Sequence, residues 1–274
     1  MFKFFFKKNF CDIWDNLFHL FILDLIMIVL LVAFAALCIG ALSFGGEESG
    51  ILLFYLALFV SSAVIWVFIF AEGENAAKIA NFESPKFSLY FKQLVPCIKD
   101  GALFGLFGAF LVSVATISMP YYFRMWLPSD GSQGSFVGLL FLSFIFWFEV
   151  VSIFSLQWFL AIRNLMHNSF LKCLKKSYIL FFDNTLFSIG LGFVNLLNLL
   201  LTIFTLGMIP GFHGMNITVT NALRLRLYKY DWIEVNPNLT KKERKYVPWD
   251  ELLARDKATL GPRNWRSFIF PWKD

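Results

Sequence analysis

Five long apolar runs alternate with short polar segments along the chain, and a sixth, more polar run follows them. A helix needs about 20 apolar residues to cross the hydrocarbon core of a bilayer, which is roughly 30 Å thick. Because each run has that length, the pattern predicts six transmembrane helices in a membrane domain that covers residues 1–228. The predicted spans are residues 17–44, 50–70, 102–121, 136–162, 185–206 and 208–227. The expected fold is an all-α membrane protein.

The sixth run contains one histidine, two asparagines and two arginines, so its hydropathy alone does not decide between five and six spans. Charge does. With six spans and an inner N-terminus, the inner segments before Arg224 carry eleven basic residues, whereas the outer loops carry only Arg124. Five spans would place the basic residues that follow on the outside. Because inner loops are enriched in Lys and Arg, the charges favour six spans with both termini in the cytoplasm.

A similar pattern precedes the first, third and fifth spans. In each case an aspartate follows a lysine by eight residues, and the three lysines are separated by 85 and 83 residues. The recurring pairs are Lys7 and Asp15, Lys92 and Asp100, and Lys175 and Asp183. Apolar residues 1 before and 3, 6 and 11 after each lysine trace one face of a helix.

This recurrence predicts three parallel hairpin repeats, each preceded by an amphipathic elbow helix at the cytoplasmic interface. The lysines, including Lys8 and Lys176, would face anionic headgroups. Each aspartate would cap the helix that enters the membrane, where free N–H groups favour a carboxylate. The alternative is that any cytoplasmic approach to a membrane tends to contain lysine, aromatic residues and aspartate.

Two of these elbows carry a family resemblance. Residues 87–104 contain a Phe-x-x-x-Phe-Lys elbow that enters a span, and residues 172–186 run from Leu-Lys-Lys to Asp-Asn-Thr-Leu. These segments, and a Glu-Gly-Glu stretch at 72–74, resemble elements of the bacterial YesL-like membrane proteins over roughly residues 1–230. The resemblance implies a six-span protein of the bacterial inner membrane. It also implies an association with carbohydrate uptake, although the family has no known biochemical function and no catalytic residues.

Composition agrees with a protein whose main solvent is lipid. Apolar residues make up 58% of the chain and charged residues 16%, whereas soluble domains average about 45–50% and about 25%. These values exclude a soluble enzyme, a nucleic-acid-binding module and a secreted disulfide scaffold. Because the chain contains no Walker loop, no H-E-x-x-H, no G-x-S-x-G and no dinucleotide motif, we predict no enzyme activity, no cofactor and no metal site.

Polar residues inside the predicted spans are the candidate functional residues. Glu149 lies near the middle of the fourth span, Asn195 and Asn198 share a face of the fifth, and Asn216 lies in the sixth. One hypothesis is that these four form a pocket that binds a small solute or relays a proton, as in a carrier. We favour the alternative, in which the asparagines bridge helices and Glu149 is a neutral packing residue. Parallel repeats also differ from the paired inverted halves of many carriers.

Two other polar residues lie nearer the predicted membrane surfaces. Asp24 is about two helical turns into the first span and is expected to reach a neighbouring helix or the interface. His213 lies between Gly211 and Gly214 and is expected to mark the outer turn into the sixth span, with a packing role rather than metal ligation.

Residues 229–274 form a predicted cytoplasmic tail of different composition. Trp249, Trp265 and Trp272 stand there among alternating charges and prolines. The tail is too aromatic for a solvated linker. Its tryptophans either pack on the membrane domain and headgroups or bind a protein partner such as a transporter subunit. Together with the resemblance, the tail predicts an accessory or assembly component of a transport system; a small-solute carrier is the alternative.

Overall fold

A computed structural model describes residues 1–44, 47–129, 133–240 and 242–263 of the chain. All regular elements in these ranges are helical, which confirms the predicted all-α class. The α-helices are α1 (Phe2–Asp15), α2 (Leu17–Phe44), α3 (Glu47–Ala71), α4 (Gly73–Ala80), α5 (Phe87–Ser113), α6 (Met119–Trp126), α7 (Phe136–Met166), α8 (Phe170–Asp183), α9 (Thr185–Phe204), α10 (Gly211–Val235), α11 (Trp249–Leu252) and α12 (Ala254–Leu260). A π-helical turn, Val114–Ser118, joins α5 to α6, and a 3-10 turn, Glu243–Lys245, lies between α10 and α11.

Five helical segments of the described chain are long and apolar enough to cross a membrane. They are Leu17–Phe44, Ser49–Ala80, Phe87–Trp126, Phe136–Met166 and Thr185–Phe204. In the most apolar window of each, at most 22% of the residues are buried, so these helices direct most of their apolar side chains outward. That surface suits contact with lipid.

Helix α10 has the opposite character. Its 25 residues give it the length of a span, but it is too polar to be among those five segments. Most of its residues as far as Arg226 are buried, and it contacts α1, α2, α4, α7 and α9. The bundle therefore has a polar helix at its centre and apolar helices around it.

Small residues bring α3 and α5 into close contact. A Cβ atom added at Gly105 would lie 2.4 Å from the carbonyl oxygen of Ser62 and 2.7 Å from the Cα atom of Ala63. One turn earlier, a Cβ atom at Gly101 would lie 2.7 Å from the Cα atom of Val67. The Ser62 hydroxyl donates a hydrogen bond of 2.8 Å to the Gly105 carbonyl. Small residues four apart let membrane helices approach in this way.

Only two of the three predicted elbows are separate helices. α1 ends before Asn16 and α8 ends before Asn184, and both asparagines have non-helical backbone angles. Each side-chain amide donates to the carbonyl four residues earlier, a bond that competes with helix continuation. At the corresponding position of the second unit, Gly101 lies inside the unbroken helix α5 and packs on α3. The prediction of a separate second elbow is therefore wrong.

Helix α1 buries Lys8 together with apolar residues such as Phe4 and Phe5, contrary to the predicted outward orientation of this lysine. Lys8 is only 2% exposed; its Nζ lies 2.7 Å from Asp12 and 3.8 Å from the ring centre of Phe82. Burial lowers the pKa of Lys8, and the contact with Asp12 opposes this lowering in part. Phe2 and Phe6 are exposed instead. The ion pair and the Phe82 ring outweigh the attraction of Lys8 to the membrane surface.

The π-helical turn between α5 and α6 precedes a proline. Pro120 lies near the start of α6, has no amide hydrogen and would clash with the carbonyl of Thr116 in a regular helix. The wider π turn avoids that clash. The Thr116 hydroxyl lies 3.1 Å from the hydroxyl of Tyr55 on α3, so the turn also contacts the neighbouring helix.

The segment after α10 folds back onto the bundle. α10 itself continues past residue 228, where the predicted membrane domain ends. Leu253 and Leu260 are buried, and Trp249 packs against the main hydrophobic core. The Lys7 ammonium group donates a hydrogen bond of 3.1 Å to the carbonyl of Gly261. The described part of the tail is thus joined to helix α1.

We predict that Gly105→Ala lowers the free energy of unfolding by about 1–3 kcal/mol, because the new methyl group would overlap the α3 backbone. Gly108→Ala is the matched control: its Cβ would meet only the indole nitrogen of Trp66, at 3.9 Å. The control should leave stability unchanged within about 1 kcal/mol. Denaturant titration in a mild detergent measures both. Equal stability of the two variants would contradict the close α3–α5 contact.

Candidate functional site

Polar side chains along α10 bond to a different neighbour at almost every turn. We call these residues and their partners the α10 polar core. The pairs are His213 with Asp24 of α2, Asn216 with Asn164 of α7, Thr218 with Asn198 of α9, Asn221 with Asp12 of α1, and Arg224 with the carbonyl of Ala80 at the end of α4. Five helices are therefore held to α10 by hydrogen bonds.

Asp24 binds the N-terminus of α10. Its Oδ1 atom accepts hydrogen bonds from the backbone N–H groups of Phe212, at 3.1 Å, and His213, at 3.3 Å, and lies 2.8 Å from the His213 ring nitrogen Nδ1. First-turn N–H groups lack intrahelical partners, and the helix dipole favours a carboxylate there. Gly211 has φ +68°, and a Cβ atom there would lie 1.8 Å from Asp24 Oδ2. Only glycine fits beside this carboxylate.

The Asp24–His213 contact corrects one part of the sequence interpretation. Asp24 is expected to reach a neighbouring helix or the interface, and its contact of 2.8 Å with His213 of α10 agrees with the first of these. His213 is expected at the outer turn, and a contact about two helical turns into α2 does not agree with that position. α2 continues for 20 residues beyond Asp24, to Phe44, and 20 helical residues rise about 30 Å. The N-terminus of α10 therefore lies a full membrane thickness away from the far end of α2.

A second buried histidine–carboxylate pair lies nearby. His19 Nε2 is 2.8 Å from Glu72 Oε1, and both side chains are buried. Glu72 Oε2 accepts a hydrogen bond of 3.0 Å from Asn75, whose own carbonyl oxygen accepts one from the backbone N–H of Lys86. These bonds join α2 to α4 and to the start of α5.

The four residues of the predicted intramembrane cluster do not bond to one another. Glu149 is buried, and its Oε1 atom has no hydrogen-bond partner. Each asparagine bonds to a residue outside the predicted set. These bonds are Asn195 to Gln157 at 3.3 Å, Asn198 to Thr218 at 3.2 Å, and Asn216 to Asn164 at 2.9 Å. All three bonds connect different helices, as expected if the asparagines bridge helices.

Two members of that set line a cavity of about 570 Å³ between α3, α5, α7, α9 and α10. Its wall is apolar apart from Gln157, Asn195 and Asn216, and none of its described lining residues is charged. Ile153 and Phe193, on α7 and α9, are more than 60% exposed and belong to the wall. The cavity therefore opens between two helices on the lipid-facing surface.

The three aspartates of the recurring pattern form ion pairs. These are Asp15 with Arg263, Asp100 with Arg163 and Asp183 with Lys229. The prediction that they cap the entering spans is wrong for Asp100, which lies inside α5, and for Asp183, because the N-cap of α9 is Asn184 and makes no side-chain cap bond. Burial opposes ionisation of Asp183, but bonds from Tyr230 and Lys229 outweigh it and lower its pKa.

The remaining predicted site residues lie in different parts of the structure. Lys92 and Lys175 are exposed. Trp249 packs on the core, and its ring centre lies 5.9 Å from the guanidinium carbon of Arg226. Trp265 and Trp272 lie outside the described residues. Within the described ranges, no group of three or more His, Cys, Asp or Glu side chains is placed to hold a metal ion.

Comparison with known proteins adds no relative. No family model, no curated protein and no solved structure matches this chain. The functional argument must therefore start from the geometry of the α10 polar core, the cavity and the contacts of the tail.

We predict that Asp24→Ala lowers the free energy of unfolding by about 3 kcal/mol, because it leaves His213 and the first N–H groups of α10 buried without their acceptor. Asp24→Asn keeps one acceptor oxygen and should lose less. Asp250→Ala is the control, since the Asp250 side chain is 98% exposed and forms a surface ion pair with Lys257; it should leave the stability unchanged, because exposed ion pairs contribute little. Thermal unfolding in detergent ranks the stabilities of these variants. An Asp24→Ala variant as stable as the unaltered chain would refute the prediction.

Proposed function

We propose that this chain is a multi-pass protein of the bacterial inner membrane, with both termini in the cytoplasm, that acts as an accessory or assembly component beside a transport system. The observation that carries the proposal is the α10 polar core. Its residues each form a bond between helices, as expected of a fixed scaffold. The lipid-facing helices around it supply the membrane location.

Contacts between the two ends of the chain support an even number of membrane crossings. Lys7 on α1 bonds to Gly261, and Asp15 at the end of α1 pairs with Arg263. Segments that touch at the ends of a bundle lie on the same side of the membrane. An odd number of crossings would separate them, so α10 cannot simply be left out of the count.

Six crossings are the number that the charge pattern favours, and they require the turn between α9 and α10 to reach the outer surface. The Asp24–His213 bond favours a different route to an even number. In that route α9 and α10 form a re-entrant hairpin, and four segments cross fully. Backbone at membrane depth is tolerated when it is buried in protein, as the start of α10 is. Both routes keep the termini together.

Similar junctions support a repeat between the first and last units. Asn16 and Asn184 occupy matching places between an elbow helix and an apolar helix, and their side chains make the same bond to the carbonyl four residues earlier. The second unit replaces the asparagine with Gly101 and has no break. On this proposal the three units share an origin, and the middle one lost its junction.

The scaffold role is preferred over the carrier because the candidate transport residues are dispersed. Carriers commonly place substrate and ion sites together near the midplane, beside interrupted helices. Here Glu149 is not among the cavity residues, and Asn198 bonds to Thr218 outside the cavity wall. The described cavity wall also has no charged group that could bind an ion.

The link to transport rests on the YesL-like resemblance and on the tail. Trp249 is engaged by the membrane domain, so partner binding falls to Trp265 and Trp272. Tryptophan is enriched at the centres of protein interfaces. The docked segment 249–263 directly precedes these two residues in the sequence.

The topology proposal predicts that a thiol at the tail is protected from the outside. In a variant whose native cysteines are replaced by alanine, Tyr246→Cys should react with a membrane-impermeant maleimide only after spheroplasts are opened. Tyr246 is 84% exposed and suits this test. Reaction in intact spheroplasts would overturn the proposal.

The same assay on Leu206→Cys distinguishes the two routes to an even number. Leu206 lies in the turn between α9 and α10 and is 78% exposed. Labelling from the outside indicates six crossings, and protection in intact spheroplasts indicates the re-entrant hairpin. Either result agrees with both termini inside.

For the accessory role, we expect transporter subunits to co-elute with the full-length chain after purification from native membranes in mild detergent. Trp265→Ala combined with Trp272→Ala should remove them. Trp147→Ala, at a 63% exposed residue of α7, is the matched control and should retain them. A full-length chain that elutes alone would contradict the accessory role, and retention by the double variant would contradict binding through the tail.

A further inference from the structure

One of the two buried cations in the described part of the chain has no ionic partner. Lys8 lies 2.7 Å from Asp12, whereas Arg226 on α10, only 8% exposed, forms neither an ion pair nor a hydrogen bond with a described residue. A charge that leaves water without a partner is costly. Arg226 therefore requires an anion that the described chain does not supply.

Aromatic rings contact this guanidinium but do not replace the anion. Its central carbon lies 3.7 Å from the ring centre of Phe187 on α9 and 5.9 Å from that of Trp249 on α11. Rings over the faces stabilise the charge, but the five N–H donors point outward in the guanidinium plane. Nε is enclosed without an acceptor, whereas the two Nη groups, which also have no acceptor, retain accessible surface. An incoming anion can therefore reach the Nη donors.

The carboxylate that attracts Arg226 most strongly is already bonded elsewhere. Asp183 lies 3.5 Å from the ammonium group of Lys229 and accepts a hydrogen bond from the Tyr230 hydroxyl. It acts on Arg226 only through longer-range attraction, without an ion pair. Because Asp183 is held by these two residues, the anion for Arg226 has to come from outside the described chain.

The position of Arg226 indicates the source of the anion. Phe187, which it contacts, lies in the first turn of the apolar helix α9, just after the half-exposed Asp183. Leu186 beside it is 89% exposed, and Phe2, whose ring centre is 5.6 Å from that of Phe187, is 56% exposed. Apolar surface thus meets charged residues at this level, as it does where the hydrocarbon of a bilayer meets the headgroups. Lipid phosphates lie at that boundary.

We propose that Arg226 binds the phosphate group of an anionic phospholipid at the membrane boundary of α9. The two Nη groups donate to the phosphate oxygens, a geometry for which the planar guanidinium is well suited. The acyl chains then lie along the exposed apolar residues Leu186 and Phe2. A soluble phosphodiester could make the same bonds but has no acyl chains, so the two sources can be separated. This site goes beyond the proposed accessory role and does not depend on it.

Native mass spectrometry tests the proposal on the full chain, delipidated in mild detergent and titrated with dioleoylphosphatidylglycerol. We expect one lipid to bind more tightly than those that follow. Dioleoylglycerol, which has the same chains without phosphate, should not bind in this range, and the soluble headgroup glycerophosphoglycerol should not compete at equal concentration. Equal binding of dioleoylglycerol would show that phosphate is not recognised. Competition by the soluble headgroup would overturn the lipid source.

Variants of Arg226 assign the tight site. Arg226→Met keeps an unbranched side chain without the charge and should weaken binding of the first lipid about tenfold, the value of one charge-assisted hydrogen bond. Arg255→Met is the matched control, since Arg255 is an exposed arginine of α12, and it should bind the lipid like the unaltered chain. Arg226→Lys keeps the charge but not the paired donors and should show a smaller loss. Unchanged binding in Arg226→Met or Arg226→Lys, or an equal loss in Arg255→Met, would overturn the proposal.

Discussion

The hydrogen bonds between α10 and its neighbours are the constraint on which the rest of the bundle depends. A polar helix inside a shell of apolar helices is stable only if its donors and acceptors find partners, because lipid offers none. His213, Asn216 and Asn221 each meet part of this requirement by bonding to a different helix, although one side-chain atom of each has no hydrogen-bond partner among the described residues. Together these bonds fix both the rotation and the depth of α10. The apolar helices can then face outward, since the polar groups inside hold the bundle together.

The glycines of the core follow from the same constraint. At Gly211 an added Cβ atom would overlap the Asp24 carboxylate, and at Gly73 it would lie 2.2 Å from the side-chain oxygen of Asn164. In both places a polar group occupies the space that a side chain would need. Polar partners and glycines therefore depend on each other: a hydrogen bond between helices forms only where the backbones come close enough.

The long apolar helices could be predicted from sequence because hydropathy is a property of a whole segment. The predicted first span, 17–44, has the same bounds as α2. The pairing of buried side chains could not be predicted, because the partners are far apart in the sequence. His19 and Glu72 are separated by 53 positions, and Asp24 and His213 by 189. Glu149 was a candidate functional residue because it lies near the middle of a predicted span. The amide residues that line the cavity became evident only from the packing of α7, α9 and α10.

A bundle held by internal polar bonds has few polar groups left for recognition on its lipid-facing surface. Selectivity for a membrane component must then come from places where the interior opens to lipid. The cavity is such a place, since exposed Ile153 and Phe193 lie in the same wall as Asn195 and Asn216.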